Sequence, residues 1–127
     1  MKIFPILALT LLAHAAWADD FTDRAAAGRA ASATPAGSKF DDALMPMLGK
    51  AGAFCDPPGT KLPAAELGQF ALVGDITQAG KLINVAVAPQ NPVSECFAAQ
   101  LARDTFDPPP RPDNATYPIL VQLNVTN

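Results

Sequence analysis

Few residues in this chain are of types that could do chemistry. Cys55 and Cys96 are the two cysteines among 127 residues, and His14 is the single histidine. In a chain bound for an oxidising compartment, an even cysteine count implies a disulfide. The alternative is a reactive thiol pair. It lacks a Cys-x-x-Cys arrangement, and neither cysteine has a cationic neighbour to lower its pKa. Bridging two positions this far apart removes roughly 4 kcal/mol of unfolded-state entropy. The carboxylates do not assemble by spacing. Asp41 and Asp42 are adjacent, so on a helix they point to different sides and fit helix-end chemistry better than an acid–base pair. Nothing in the spacing of Asp75, Glu95 and Asp104 brings them together, and the lysines are too scattered for a Ser-Lys dyad.

His14 and the only tryptophan, Trp17, fall in a segment that reads as a targeting signal. Lys2 gives a positive start, and Ile3 to Ala16 is apolar apart from Thr10 and His14. Ala16-Trp17-Ala18 is a small-x-small cleavage site, followed by Asp19-Asp20. The apolar run is shorter than the ~20 residues a membrane span needs. The expectation is a signal peptide over 1–18, cut between Ala18 and Asp19, with no integral span after processing. The exported chain then has no histidine. That removes Ser-His-Asp and Cys-His catalysis, imidazole metal ligands and the commonest general base. No catalytic residue, metal site or cofactor is expected, and the chain is read as not an enzyme. The location implied is the periplasm or the exterior.

Charge narrows the partners. Nine Lys and Arg stand against twelve Asp and Glu, and the pI is about 4.8. No dense basic patch exists to neutralise phosphates, so no nucleic acid is expected, nor a polybasic membrane mode. The length allows one small domain.

Residues 19–38 are rich in Ala, Ser, Gly and Pro, with almost no large apolar side chain. They read as a flexible linker, with a transient helix over Arg24–Ala31 at most. A folded domain is expected from 39 to 127. Ser38 with Asp41 resembles a capping box, and Phe40, Leu44, Met47 and Leu48 line one face of a helix near 39–49. Gly49 and Gly52 read as its stop, and Pro46 weakens it. After a turn-rich stretch at 54–66, Phe70, Leu72, Gly74 and Ile76 alternate with their neighbours, as do Ile83, Val85 and Val87. With Gln78-Ala79-Gly80 between them, these are two strands of a hairpin. Asn91-Pro92 begins an amphipathic helix over about 92–105 whose inner flank carries Cys96 within reach of Cys55. Asp107-Pro-Pro-Pro-Arg-Pro112 forces an extended connection. Its Pro109 to Pro112 spacing matches a P-x-x-P ligand, but a rigid connector is the favoured reading. The last strand, Tyr117 to Val125, has one apolar and one mostly polar face.

The expected fold is therefore α+β: a small three-stranded antiparallel sheet in the order helix-strand-strand-helix-strand, with helices packed on one face. The first strand belongs in the middle, with Pro118 at an edge where a missing donor is tolerated.

From about Gln69 to Val125 the chain resembles the C-terminal domain shared by the TonB and TolA energy-coupling proteins of the Gram-negative envelope. The features that carry this are the turn Ala79-Gly80-Lys81, the strand Leu82–Pro89 and the polar turn Gln90-Asn91. They continue in the helix Glu95-Cys-Phe-Ala-Ala-Gln-Leu-Ala, the exit Phe106-Asp-Pro-Pro-Pro and the closing strand. The TolA-like branch also carries a Cys corresponding to Cys96, bridged to an earlier Cys, though Cys55 lies before the first strand and departs from that branch. The resemblance implies a domain that binds protein partners by strand addition at a sheet edge. On this chain that edge is Leu120 to Val125, with Leu120, Gln122 and Asn124 as partner-binding residues. It does not imply energy transduction, because a flexible linker of about 20 residues reaches only roughly 25 Å, far short of a periplasmic span.

The functional expectation is an exported interaction module of the cell envelope, binding an envelope protein or pairing as a homodimer through the same edge. A purely structural edge strand is an equal alternative. A small secreted inhibitor or immunity-type protein also fits the size and single disulfide. Asn114-Ala-Thr and Asn124-Val-Thr match glycosylation acceptors, which matter only in a eukaryotic secretory route.

Overall fold

A computed structural model describes residues 20–111 and 115–127. The expected signal over 1–18, its cut between Ala18 and Asp19, Pro112 and Asn114 lie outside the described residues.

Three strands form one antiparallel sheet: β1 (Gly68–Ile76), β2 (Leu82–Ala88) and β3 (Tyr117–Val125). The order is β2-β1-β3, so the first strand is central as expected. Leu72 stands between Val87 on β2 and Val121 on β3, all facing the core. The hairpin closes at Gly80, whose φ of +80° suits a residue without Cβ. Its carbonyl accepts from the Phe106 amide at 2.8 Å, which ties the Pro-rich exit to the hairpin. β2 and β3 run parallel to each other, joined by a crossover through a helix at Pro92–Arg103.

That helix starts as its sequence dictates. Asn91 Oδ1 accepts from the Ser94 amide at 2.9 Å, and Ser94 Oγ accepts from the Asn91 amide at 3.0 Å. Val93, Phe97 and Leu101 turn inward, and the Phe97 ring stacks at a tilt on Phe70, centroids 5.4 Å apart.

The helix before the sheet runs Pro35–Cys55, longer at both ends than the expected 39–49. Its N-cap is Thr34, whose side chain accepts from the Gly37 amide at 3.0 Å, with Pro35 in the first turn. Ser38 is therefore inside the helix and does not cap it. Gly49 and Gly52 do not stop it. Gly52 faces the Phe97 ring, and the helix ends at the disulfide. Pro46 sits within it, a cost outweighed by burial of Phe40, Leu44 and Ala51 on either side. Both helices cover the same face of the sheet.

Residues 20–32 are helical, not a flexible linker. The inward residues Phe21, Arg24, Ala25, Gly28, Ala31 and Ser32 recur at spacings of three and four, and the small ones let the helix lie close to the sheet. Composition alone did not show that a sheet face waited for it. In chain order the helices are α1 (20–32), α2 (Pro35–Cys55) and α3 (Pro92–Arg103).

α1 lies on the face opposite α2 and α3. Leu72 and Ile76 of β1 point into the core, so Val73 and Asp75 point away from it. Asp75 pairs with Arg24 of α1 at 3.8 Å. Val73 is fully buried without belonging to the main core, because α1 covers that face.

Candidate functional site

The expected docking edge is β3, and the sheet order leaves it at an edge. Its odd residues Tyr117, Ile119, Val121 and Val125 are buried, and Leu123 is half-buried. Its even residues point to the outer face. Gln122 and Asn124 are exposed, whereas Leu120 is half-buried.

The difference comes from α1. A Cβ added to Gly28 would sit 2.7 Å from the Leu120 amide nitrogen and 2.9 Å from Leu120 Cβ. Arg24, one turn earlier, bonds Asp75 on β1 and donates to the Asn84 carbonyl on β2. Four helical residues rise ~6 Å, slightly more than the ~4.8 Å strand spacing. Ser32, one turn past Gly28, is thus beyond the β3 edge, where its hydroxyl bonds Asp41 of α2. The corner at Ala33–Thr34 carries the chain around this edge to the core face, where a Cβ added to Gly37 would sit 2.7 Å from the Tyr117 hydroxyl. The first half of the edge is overlaid, and 122–125 lies beyond the overlay.

Beside that open half, Gln69, Ala71, Ala88, Gln122 and Asn124 line a shallow concavity on the outer face. From Tyr117 to Asn127 no residue is charged. At the other end of the face, Asn84 adopts φ +54° where the β1–β2 register shifts, and its amide donates to Asp75 at 3.3 Å. Arg24, Asp75 and Asn84 thereby pin α1 across two strands.

The disulfide residues meet as the sequence implies. Cys55 and Cys96 are bonded, with Cα atoms 5.8 Å apart, so the end of α2 is fixed to α3. The carboxylates do not gather. Asp75 faces Arg24, Asp104 caps α3 and lies 3.9 Å from Lys50, and Glu95 is exposed in the first turn of α3. Among the described residues no three His, Cys, Asp or Glu side chains group to hold a metal, and no helix is long and apolar enough to cross a membrane.

Sequence reasoning missed Arg24 and Gly28. The available sign was the four-residue spacing of Arg24, Gly28 and Ser32 within an Ala-rich run. Comparisons with protein-family models, curated proteins and solved structures give no match, so none ties the chain to the TonB and TolA domains.

Proposed function

We propose that this chain is an exported, non-enzymatic interaction module of the bacterial envelope, resembling a TonB or TolA C-terminal domain, that takes a protein partner by strand addition at residues 122–125 of β3. One observation carries the reading: an edge strand without a charged side chain, half of it uncovered. Unguarded edges present backbone donors and acceptors that recruit an extended chain, and proteins normally blunt them with Lys, Pro or a covering segment. Pro118 and α1 blunt only the first half of β3. The disulfide suits an oxidising compartment such as the periplasm.

The test is capture from envelope extract by the immobilised protein, compared with a Gln122→Lys, Asn124→Lys variant. Both side chains are exposed, so the variant keeps its fold, checked by circular dichroism. Edge lysines oppose strand addition, and the expected result is loss of the captured partner by roughly tenfold or more. Unchanged capture by the folded variant rejects edge docking.

A further inference from the structure

α1 is attached in a way that suits release. Its inward stripe contains one large apolar residue among those described, Phe21, with Ala25, Gly28 and Ala31 contributing little area. The named bonds that hold it are polar. Arg24 reaches Asp75 and the Asn84 carbonyl, and Ser32 reaches Asp41. The Arg24 and Asp75 side chains are each 24% exposed, so solvent weakens their attraction.

What α1 overlies is self-complementary. If two copies of β3 pair antiparallel about a two-fold axis at Val121, Tyr117 falls opposite Val125 and Ile119 opposite Leu123. Opposed residues share a face. The apolar sides of both copies then form one continuous surface, and no charge on either strand opposes the pairing. Such a contact is isologous and closes as a dimer. It needs the strand from 117 to 125, the stretch that α1 meets at Ile119 and Leu120 through Gly28.

We propose that α1 is a releasable strap that holds β3 closed against pairing with a second copy of this chain. Closed, it leaves 122–125 open. Lifted, it frees the whole strand, and two chains join through β3 into one six-stranded sheet. The inference rests on reading β3 as a docking edge, but its test follows the chain's own association and needs no envelope partner.

The test uses the purified protein and two variants that release the strap. Arg24→Glu sets a like charge against Asp75, and Gly28→Leu drives a side chain into the Leu120 backbone. Arg24→Glu with Asp75→Arg restores the pair. Trypsin cleavage after Arg29 reads strap release, and sedimentation velocity reads association. The wild type is expected to be monomeric and slowly cut. Each release variant is cut roughly tenfold faster and dimerises at concentrations where the wild type does not, and the charge swap reverses both effects. Adding Gln122→Lys to the Arg24→Glu variant returns it to monomer. Faster cutting without dimers overturns the proposal. So does a dimer that persists with Gln122→Lys, a wild type already dimeric, or an unchanged cutting rate in a folded Arg24→Glu variant. Arg24 lies near the surface, so that variant decides the matter should Gly28→Leu fail to fold.

Discussion

Tyr117 carries a tension that one atom defines. Its ring packs edge-on against Phe40, centroids 5.1 Å apart, and the residue is 3% exposed. The hydroxyl has no hydrogen-bond partner among the described residues. Burial raises its pKa above the usual tyrosine value, the nearby Asp41 carboxylate adds to the rise, and Arg111 opposes it. A buried unpaired hydroxyl costs about 1–3 kcal/mol. Tyr117→Phe is therefore expected to leave stability unchanged or raise it by up to about 1 kcal/mol, measured by urea unfolding at pH 7. The folded-state pKa exceeds the unfolded one, so the neutral hydroxyl's contribution is complete below about pH 10 and is lost as pH rises through the folded value. The wild type should therefore lose more stability than the Phe variant above that pH. Equal slopes in both proteins would contradict this. At Asn91 the prediction runs the other way. Its side chain caps α3 at 2.9 Å, and Asn91→Ala is expected to cost about 1 kcal/mol in the same measurement.

At the scale of elements, the bridge between α2 and α3 contributes most per bond. Cys55 and Cys96 are separated by 41 positions, and the chain-entropy estimate for that loop is about 4 kcal/mol. A Cys55→Ser, Cys96→Ser variant should lose stability on that order, read from its denaturation midpoint, and a loss under about 1 kcal/mol would place the constraint elsewhere. α3 and all three strands were legible because each carries its own pattern. Asn91-Pro92 marks a helix start, and Tyr117 to Val125 alternate faces without interruption. α2 was legible only in its middle. Its start depends on Thr34 rather than Ser38, and its end on the disulfide, because the apolar face of α3 rewards continuing through Gly49 and Gly52.

At the scale of the molecule, the sheet order followed from strand count, connection lengths and the need of α3 to cross back over the sheet. The second face was hidden. Val73 is apolar on the side that alternation assigns to solvent, and it is fully buried because α1 covers it. The exposure of the candidate edge was therefore legible only in part from sequence. Gln122 and Asn124 are exposed on an edge strand, but Leu120 lies beneath a helix that composition had suggested was a linker. The sequence by itself determined the strands, α3, the central place of β1 and the pairing of Cys55 with Cys96, because periodicity, caps and cysteine count are local or combinatorial facts. Only the tertiary structure decided the length of α2, the course of α1 and how much of β3 stays open. A run of Ala, Gly and Ser has too little apolar area to announce its own burial. It orders when a close-fitting sheet face and one well-placed arginine meet it.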